Sequence, residues 1–179
     1  LKFVKLTNMP LQDKFLDRHQ WELIEKASLP KDIPEVDEVG ATLAPLLLAA
    51  FFIGAKCKPY NDDFLLCKDQ NNGGSIECLK EGRRVTRCAI DVLSQLNKHC
   101  YEEFKLHYTC LEQENQTLGN CRKAEQIFNK CVFTHLNLEK KIPGVPEDKQ
   151  IHLQEKKIYN GFGTDDSLVK EYLKKQEQP

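Results

Sequence analysis

The longest apolar stretch in the chain is LAPLLLAAFFIGA, residues 43–55. Thirteen residues in a helix reach about 20 Å, short of the roughly 30 Å hydrocarbon core of a bilayer, so this run is not read as a transmembrane segment. Leu43, Leu46, Leu47, Ala50, Phe51 and Gly54 mark one helical face, while Leu48, Phe52 and Ile53 fill the others. A helix apolar on several sides needs cover on several sides. The chain's own small hairpins offer little such cover, which favours docking onto a larger partner or a membrane surface over burial within the chain. The residues taken to dock are Leu43, Leu46, Leu47, Phe51, Phe52 and Ile53.

Beyond this run the apolar positions thin out and punctuation appears. Pro59 interrupts the helix just after Cys57, and a new helix restarts there because proline is tolerated in a first turn. Asn71-Asn72-Gly73-Gly74 reads as a turn, with Ser75 as the cap of the next helix. Val92, Leu93 and Leu96 continue that helix past Cys88 to about Asn97, and Glu114 to Asn120 makes a second turn. Both ends look extended. In the tail only Asp165 to Lys175 suggests a short helix, with Leu168, Val169, Tyr172 and Leu173 on one side.

The cysteines give this pattern its framework. They fall at Cys57/Cys67, Cys78/Cys88, Cys100/Cys110 and Cys121/Cys131, with nine residues inside each pair. The second four repeat the first four at a constant offset of 43, the mark of a tandem duplication. A ten-residue step keeps two cysteines on one helical seam, yet about 15 Å apart along the axis, too far to bond each other. An antiparallel second helix with the same spacing places a partner opposite each. The expected rungs are Cys67–Cys78 inside and Cys57–Cys88 outside, then Cys110–Cys121 inside and Cys100–Cys131 outside. Little apolar matter lies between them: Tyr60 and Phe64 against Val85, then Phe104 against Phe128. Hairpins with so small a core need covalent staples. A structural metal would need four converging ligands where each rung offers two sulfurs, so His107 reads as a packed residue and no metal is expected.

Charge changes the picture only by exclusion. Basic and acidic residues balance within one of each other in residues 1–56, 57–136 and 137–179, so no segment argues for nucleic acid. Phosphate-binding glycine loops and Gly-x-Ser-x-Gly are absent, and the five histidines form no catalytic arrangement. No enzyme activity and no cofactor are expected. Arg83, Arg84 and Arg87 form a small basic face opposite the cysteine seam, solvated or set against an acidic partner or anionic lipid. Persistent disulfides require an oxidising compartment. The opening LKFVKLTNMPLQDKFLDRHQW has neither a secretory apolar core nor the acid-poor composition of a matrix-targeting helix. The secretory route and the mitochondrial intermembrane space both stay open. The sequon Asn115-Gln116-Thr117 would carry sugar on the first route only.

Paired helices with Cys, nine residues, Cys resemble the twin Cys-x9-Cys (coiled-coil-helix-coiled-coil-helix) family. The words VDEVG, AAFFIGAKC, FLLCK, CLKEGRRVTRCA, CLEQ, CRKAE, KCVF and LNLEKKIPGVP narrow the resemblance. They look like the double-hairpin accessory subunits, of alpha subcomplex subunit 8 type and fungal-like, of mitochondrial NADH:ubiquinone oxidoreductase. This covers roughly residues 29–147. The resemblance implies an all-α fold and a non-catalytic role in assembly and stability of that complex. It further implies a peripheral place on the inner membrane, facing the intermembrane space. Its implied partners are membrane-arm core and accessory subunits, the disulfide-relay oxidoreductase during import, and phospholipid headgroups. Phe64 with Cys67, or Phe128 with Cys131, would suit capture by the relay. The alternative is a soluble assembly factor or metal carrier of the same superfamily. The expected layout is an extended arm (1–42), a docking helix (43–56), a first hairpin (57–88) and a connecting helix (89–99). A second hairpin (100–131) and an extended tail (132–179), with a possible helix over 165–175, complete it.

Overall fold

A computed structural model describes residues 31–37, 39–74, 76–153 and 164–177 of the 179. Most of the expected N-terminal arm, and Ser75 as a cap, lie outside these residues. Chain contacts define two units, residues 1–34 and 35–179. Of the first, the described residues form a turn and bend at 31–33. Everything below concerns the second.

Six α-helices and no strand occur among the described residues of this unit. The first, α1 (Leu43–Lys56), coincides with the apolar run. Its buried stripe is Ala44, Leu48, Ala49 and Phe52, the side opposite the one its larger residues mark out in the sequence. Two alanines on that stripe let a neighbouring backbone approach closely, and Phe52 then fills the space beside them. Burying such a ring contributes about 1.5–3 kcal/mol.

The chain bends by 86° at Cys57 and restarts as α2 (Lys58–Gln70), with Pro59 in its first turn. The missing proline N–H falls where a helix start has no intrahelical acceptor for it anyway. Among the described residues no single helix is long and apolar enough to cross a membrane, although α1 and α2 together, sharply bent, meet that length and composition. A turn carries the chain into α3 (Leu79–His99), with Asn72 and Gly73 in the left-handed region at φ 49° and 80°. α3 is continuous through residues 89–99, so the connecting helix is its second half. There Val92, Leu93 and Leu96 pack with α1. Lys56 at the end of α1 reaches Asp91 at 2.6 Å and Gln95 at 3.0 Å.

The second hairpin is α4 (Tyr101–Gln113) and α5 (Arg122–Leu136), joined by a loop with Asn115 and Gln116 at positive φ and a short 3-10 turn over Leu118–Cys121. Its centre is aromatic. The Phe104 and Phe128 rings stack at 5.1 Å, and Phe52 from α1 meets Phe128 edge-on at 5.6 Å. α1 therefore docks on the second hairpin and on the far half of α3, and one core joins all three.

The tail is not uniformly extended. After α5 ends at Asn137 (φ 53°), Gln150 stitches a loop closed. Its side chain accepts from Ile142 N and donates to the carbonyls of Ile142 and Val145. The last helix, α6 (Thr164–Glu177), lies across α4 and α5. Val169 from α6 joins Leu106, Ala124 and the Cys110–Cys121 pair in a second cluster, with Leu168, Ile127 and Tyr172 at its edge. Leu173 points outward, so one residue of the stripe read from the sequence faces solvent.

Candidate functional site: a stapled double hairpin and its outward faces

Disulfides join Cys57 to Cys88, Cys67 to Cys78, Cys100 to Cys131 and Cys110 to Cys121. Cα–Cα distances are 5.8–5.9 Å, and no cysteine is free. Each outer bond joins cysteines 31 positions apart in the sequence and each inner bond cysteines 11 apart, repeated in both copies.

Within the rungs the copies have diverged. In the first hairpin Phe64 lies over Gly82, whose missing side chain makes room: a Cβ there would sit 3.2 Å from the ring. The equivalent positions in the second hairpin are His107 and Glu125, both buried. Glu125 is fully enclosed, and its carboxylate pairs with Arg122 on its own helix and with the Lys140 ammonium from the tail. The Lys140 ammonium also lies 4.0 Å from the centre of the Phe51 ring, a cation–π contact to α1. Burial pulls the Lys140 pKa down, against the opposing pull of Glu125. Burial likewise lowers His107 to about 4, with Glu125 raising it and Lys140 and Arg122 lowering it. Among the described residues neither ring nitrogen of His107 has a hydrogen-bond partner, and the ring packs 5.9 Å from Phe128.

A second latch holds α6. The Asp165 carboxylate accepts hydrogen bonds from Lys123 N at 2.8 Å and Ala124 N at 2.9 Å, at the start of α5. These amides have no acceptor within their own helix, so a carboxylate from elsewhere satisfies them and meets the positive end of the helix dipole. Lys123 pairs with Asp166, and the Tyr172 hydroxyl donates to Glu103 at 2.6 Å. Burial raises the Asp165 pKa, against the pull of the two amides.

The proposed docking residues divide. Phe52 is 1% exposed and belongs to the core, because its side chain reaches Phe128. Leu43 is 66% exposed, and Leu46, Leu47, Phe51 and Ile53 are half-buried. More apolar surface lies on the first hairpin, where Leu65 (63%) and Leu66 (56%) on α2 and Ile76 beside the turn face outward. The basic face is smaller than the sequence suggests: Arg84 and Arg87 are exposed, while Arg83 is drawn into the protein. Among the described residues no three metal-ligating side chains converge.

The two latches escape sequence reasoning. Glu125 is the one available signal, a carboxylate on the seam between Cys121 and Cys131 where the first copy has glycine.

Four bonds in two nested pairs, between helices of a duplicated hairpin, define a double twin Cys-x9-Cys fold. No family model matches the chain. It is 54% identical over 143 residues to the NADH-ubiquinone oxidoreductase 20.8 kDa subunit of Neurospora crassa, covering 79% of this chain and 78% of that one. It is also 36% identical over 89 residues to the NADH dehydrogenase [ubiquinone] 1 alpha subcomplex subunits 8-A and 8-B of Arabidopsis thaliana. That match covers 50% of this chain and 82% and 83% of theirs. The chain belongs to this family of NADH-ubiquinone oxidoreductase subunits.

Proposed function

We propose that the chain is a non-catalytic accessory subunit of mitochondrial NADH:ubiquinone oxidoreductase, bound at the inner membrane on its intermembrane-space face. The identity to the Neurospora crassa subunit carries this reading. Four closed disulfides support an oxidising compartment, which among the sides of that membrane means the intermembrane space. Its partners are membrane-arm subunits, met through the outward apolar residues Leu43, Leu65 and Leu66 and the half-buried side of α1. Arg84 and Arg87 are available to an acidic partner or to phospholipid headgroups. Oxidation by the disulfide relay during import would set the rungs.

The test is a native-gel mass profile of gently solubilised mitochondria. Co-migration with the NADH dehydrogenase band, at constant ratio to core subunits, is expected. A small free species would instead indicate an assembly factor or carrier. The double variant Leu65→Asp with Leu66→Asp should leave that band while keeping all four disulfides, since both side chains already face water.

A further inference from the structure

The two inner rungs have the same covalent design and different surroundings. Cys110 and Cys121 are both fully buried, beneath Val169, Leu168 and Tyr172 of α6. At the rung Cys67–Cys78, Cys78 is buried and Cys67 is half-exposed on α2, a helix that buries no side chain. The polar surroundings differ as well. Cys78 is the N-cap of α3, with no side-chain cap hydrogen bond. Cys121 is the N-cap of α5, where the Asp165 carboxylate occupies two of the first free amides. The Asn71 amide nitrogen lies 3.4 Å from Cys67 Sγ and 3.7 Å from Cys78 Sγ. In the second copy the residue at that place is Glu114.

Cys88 and Cys131 of the outer rungs are half-exposed like Cys67, so the contrast lies between the inner rungs. We infer that Cys67–Cys78 is the inner rung open to a dithiol in the folded protein, and that α6 is a shield that closes Cys110–Cys121 to the same chemistry. A dithiol thiolate attacks the reachable Cys67 Sγ, and the Cys67–Cys78 bond breaks. The electron pair leaves on Cys78 Sγ, at the start of α3 and within reach of the Asn71 N–H, with Glu81 in the first turn opposing, before it takes a proton from water. The second thiolate of the dithiol then attacks the mixed disulfide and releases Cys67 as a thiol. The dithiol loses two electrons and the rung gains them. At Cys110–Cys121 neither sulfur is reachable, and a carboxylate stands where a leaving thiolate would need positive potential.

The experiment is timed reduction of the oxidised full chain with dithiothreitol, quenched with N-ethylmaleimide and mapped by peptide mass spectrometry. Cys67 and Cys78 should label at least about tenfold sooner than Cys110 and Cys121, since exchange rate follows access and leaving-group stability. Val169→Asp should bring Cys110–Cys121 to a comparable rate with Cys100–Cys131 unchanged. Asn71→Glu, which installs the residue of the other copy, should slow labelling of Cys67 and Cys78 severalfold. Equal rates at the two inner rungs of the parent chain overturn the inference, as does faster labelling at Cys110. An unchanged Cys110–Cys121 rate in folded Val169→Asp overturns the shield. If that variant also opens Cys100–Cys131 and has lost its fold, Asn71→Glu decides: slowed labelling supports the open inner rung and an unchanged rate overturns it.

Discussion

The two hairpins share one cysteine grid, yet they live in different surroundings. The second is wrapped by α1 on one side and α6 on another, with Lys140 inserted from the loop after α5. In the first, α2 buries no side chain and turns Leu65 and Leu66 outward. Identical staples therefore do not impose identical burial. The bonds fix the distance between helices, and the residues between the rungs decide what else is recruited. Phe64 over Gly82 closes its own gap with carbon, whereas His107 and Glu125 at the same places are buried polar groups that demand partners. Glu125 finds Arg122 and Lys140, and finding Lys140 ties the tail to the hairpin.

The largest expected effect tests that recruitment. Glu125→Ala should destabilise the second hairpin by about 3–5 kcal/mol, because it leaves the Lys140 ammonium buried without its carboxylate. Denaturant melting would measure the loss. Adding Lys140→Met should recover most of it, since the cost is that of an uncompensated charge. A double variant as unstable as the single one would show that the pair is not what holds the loop.

His107 separates the copies by pH. Its folded pKa of about 4 lies below the ordinary histidine value of 6.5. Between these values the unfolded chain binds a proton that the folded chain refuses. Stability is therefore lost as pH falls from about 6.5 toward 4, by about 3 kcal/mol for this group if the full difference is realised. His107→Phe, which copies position 64, should flatten that part of the curve. Melting both proteins across this range and subtracting isolates the histidine. A difference curve with no slope would mean that His107 protonates equally in both states.

These contrasts show how far the sequence could be read. The rungs were legible because disulfide geometry is strict and the nine-residue spacing leaves few ways to pair helices. The helix at residues 43–56 was legible as an element, but its inward side was not. Large residues marked a face for docking outward, and Leu43 on it is exposed. Packing within the chain took the other side, with Ala44 and Ala49, because close approach to α3 and α4 rewards small side chains. Phe52 followed that choice into the core. Arg83 looked like its neighbours Arg84 and Arg87 because periodicity assigns a face without saying what lies against it. The tail helix could be located, but its anchor could not. Asp165 acts on amides 41 and 42 residues away, and no local pattern encodes a contact at that separation.

Asp165→Ala tests that anchor with a smaller effect. Loss of a helix-capping carboxylate costs about 0.5–2 kcal/mol, and here it should appear as earlier hydrogen exchange at Lys123 N and Ala124 N. Amides of α3 within the first hairpin, residues 79–88, should keep their parent rates. If they changed equally, the two hairpins would open as one cooperative body and the contrast between them would be one of burial alone.

The smallest effect lies at Gly82, where two terms of opposite sign meet. A helix-interior glycine gives up about 1 kcal/mol relative to alanine, so Gly82→Ala gains on propensity. Against this, the new methyl would stand 3.2 Å from the Phe64 ring, closer than carbon atoms ordinarily rest. The sign depends on whether that ring can yield. Phe64 is half-buried on a helix with no buried neighbours of its own, so a shift of a few tenths of an ångström meets little resistance. Gly82→Ala should therefore raise stability slightly, by less than about 1 kcal/mol, measurable as a small rise in the denaturant midpoint. A loss above about 1 kcal/mol would show that the first hairpin holds Phe64 as tightly as the second holds Phe128, and that its exposure conceals a rigid interior.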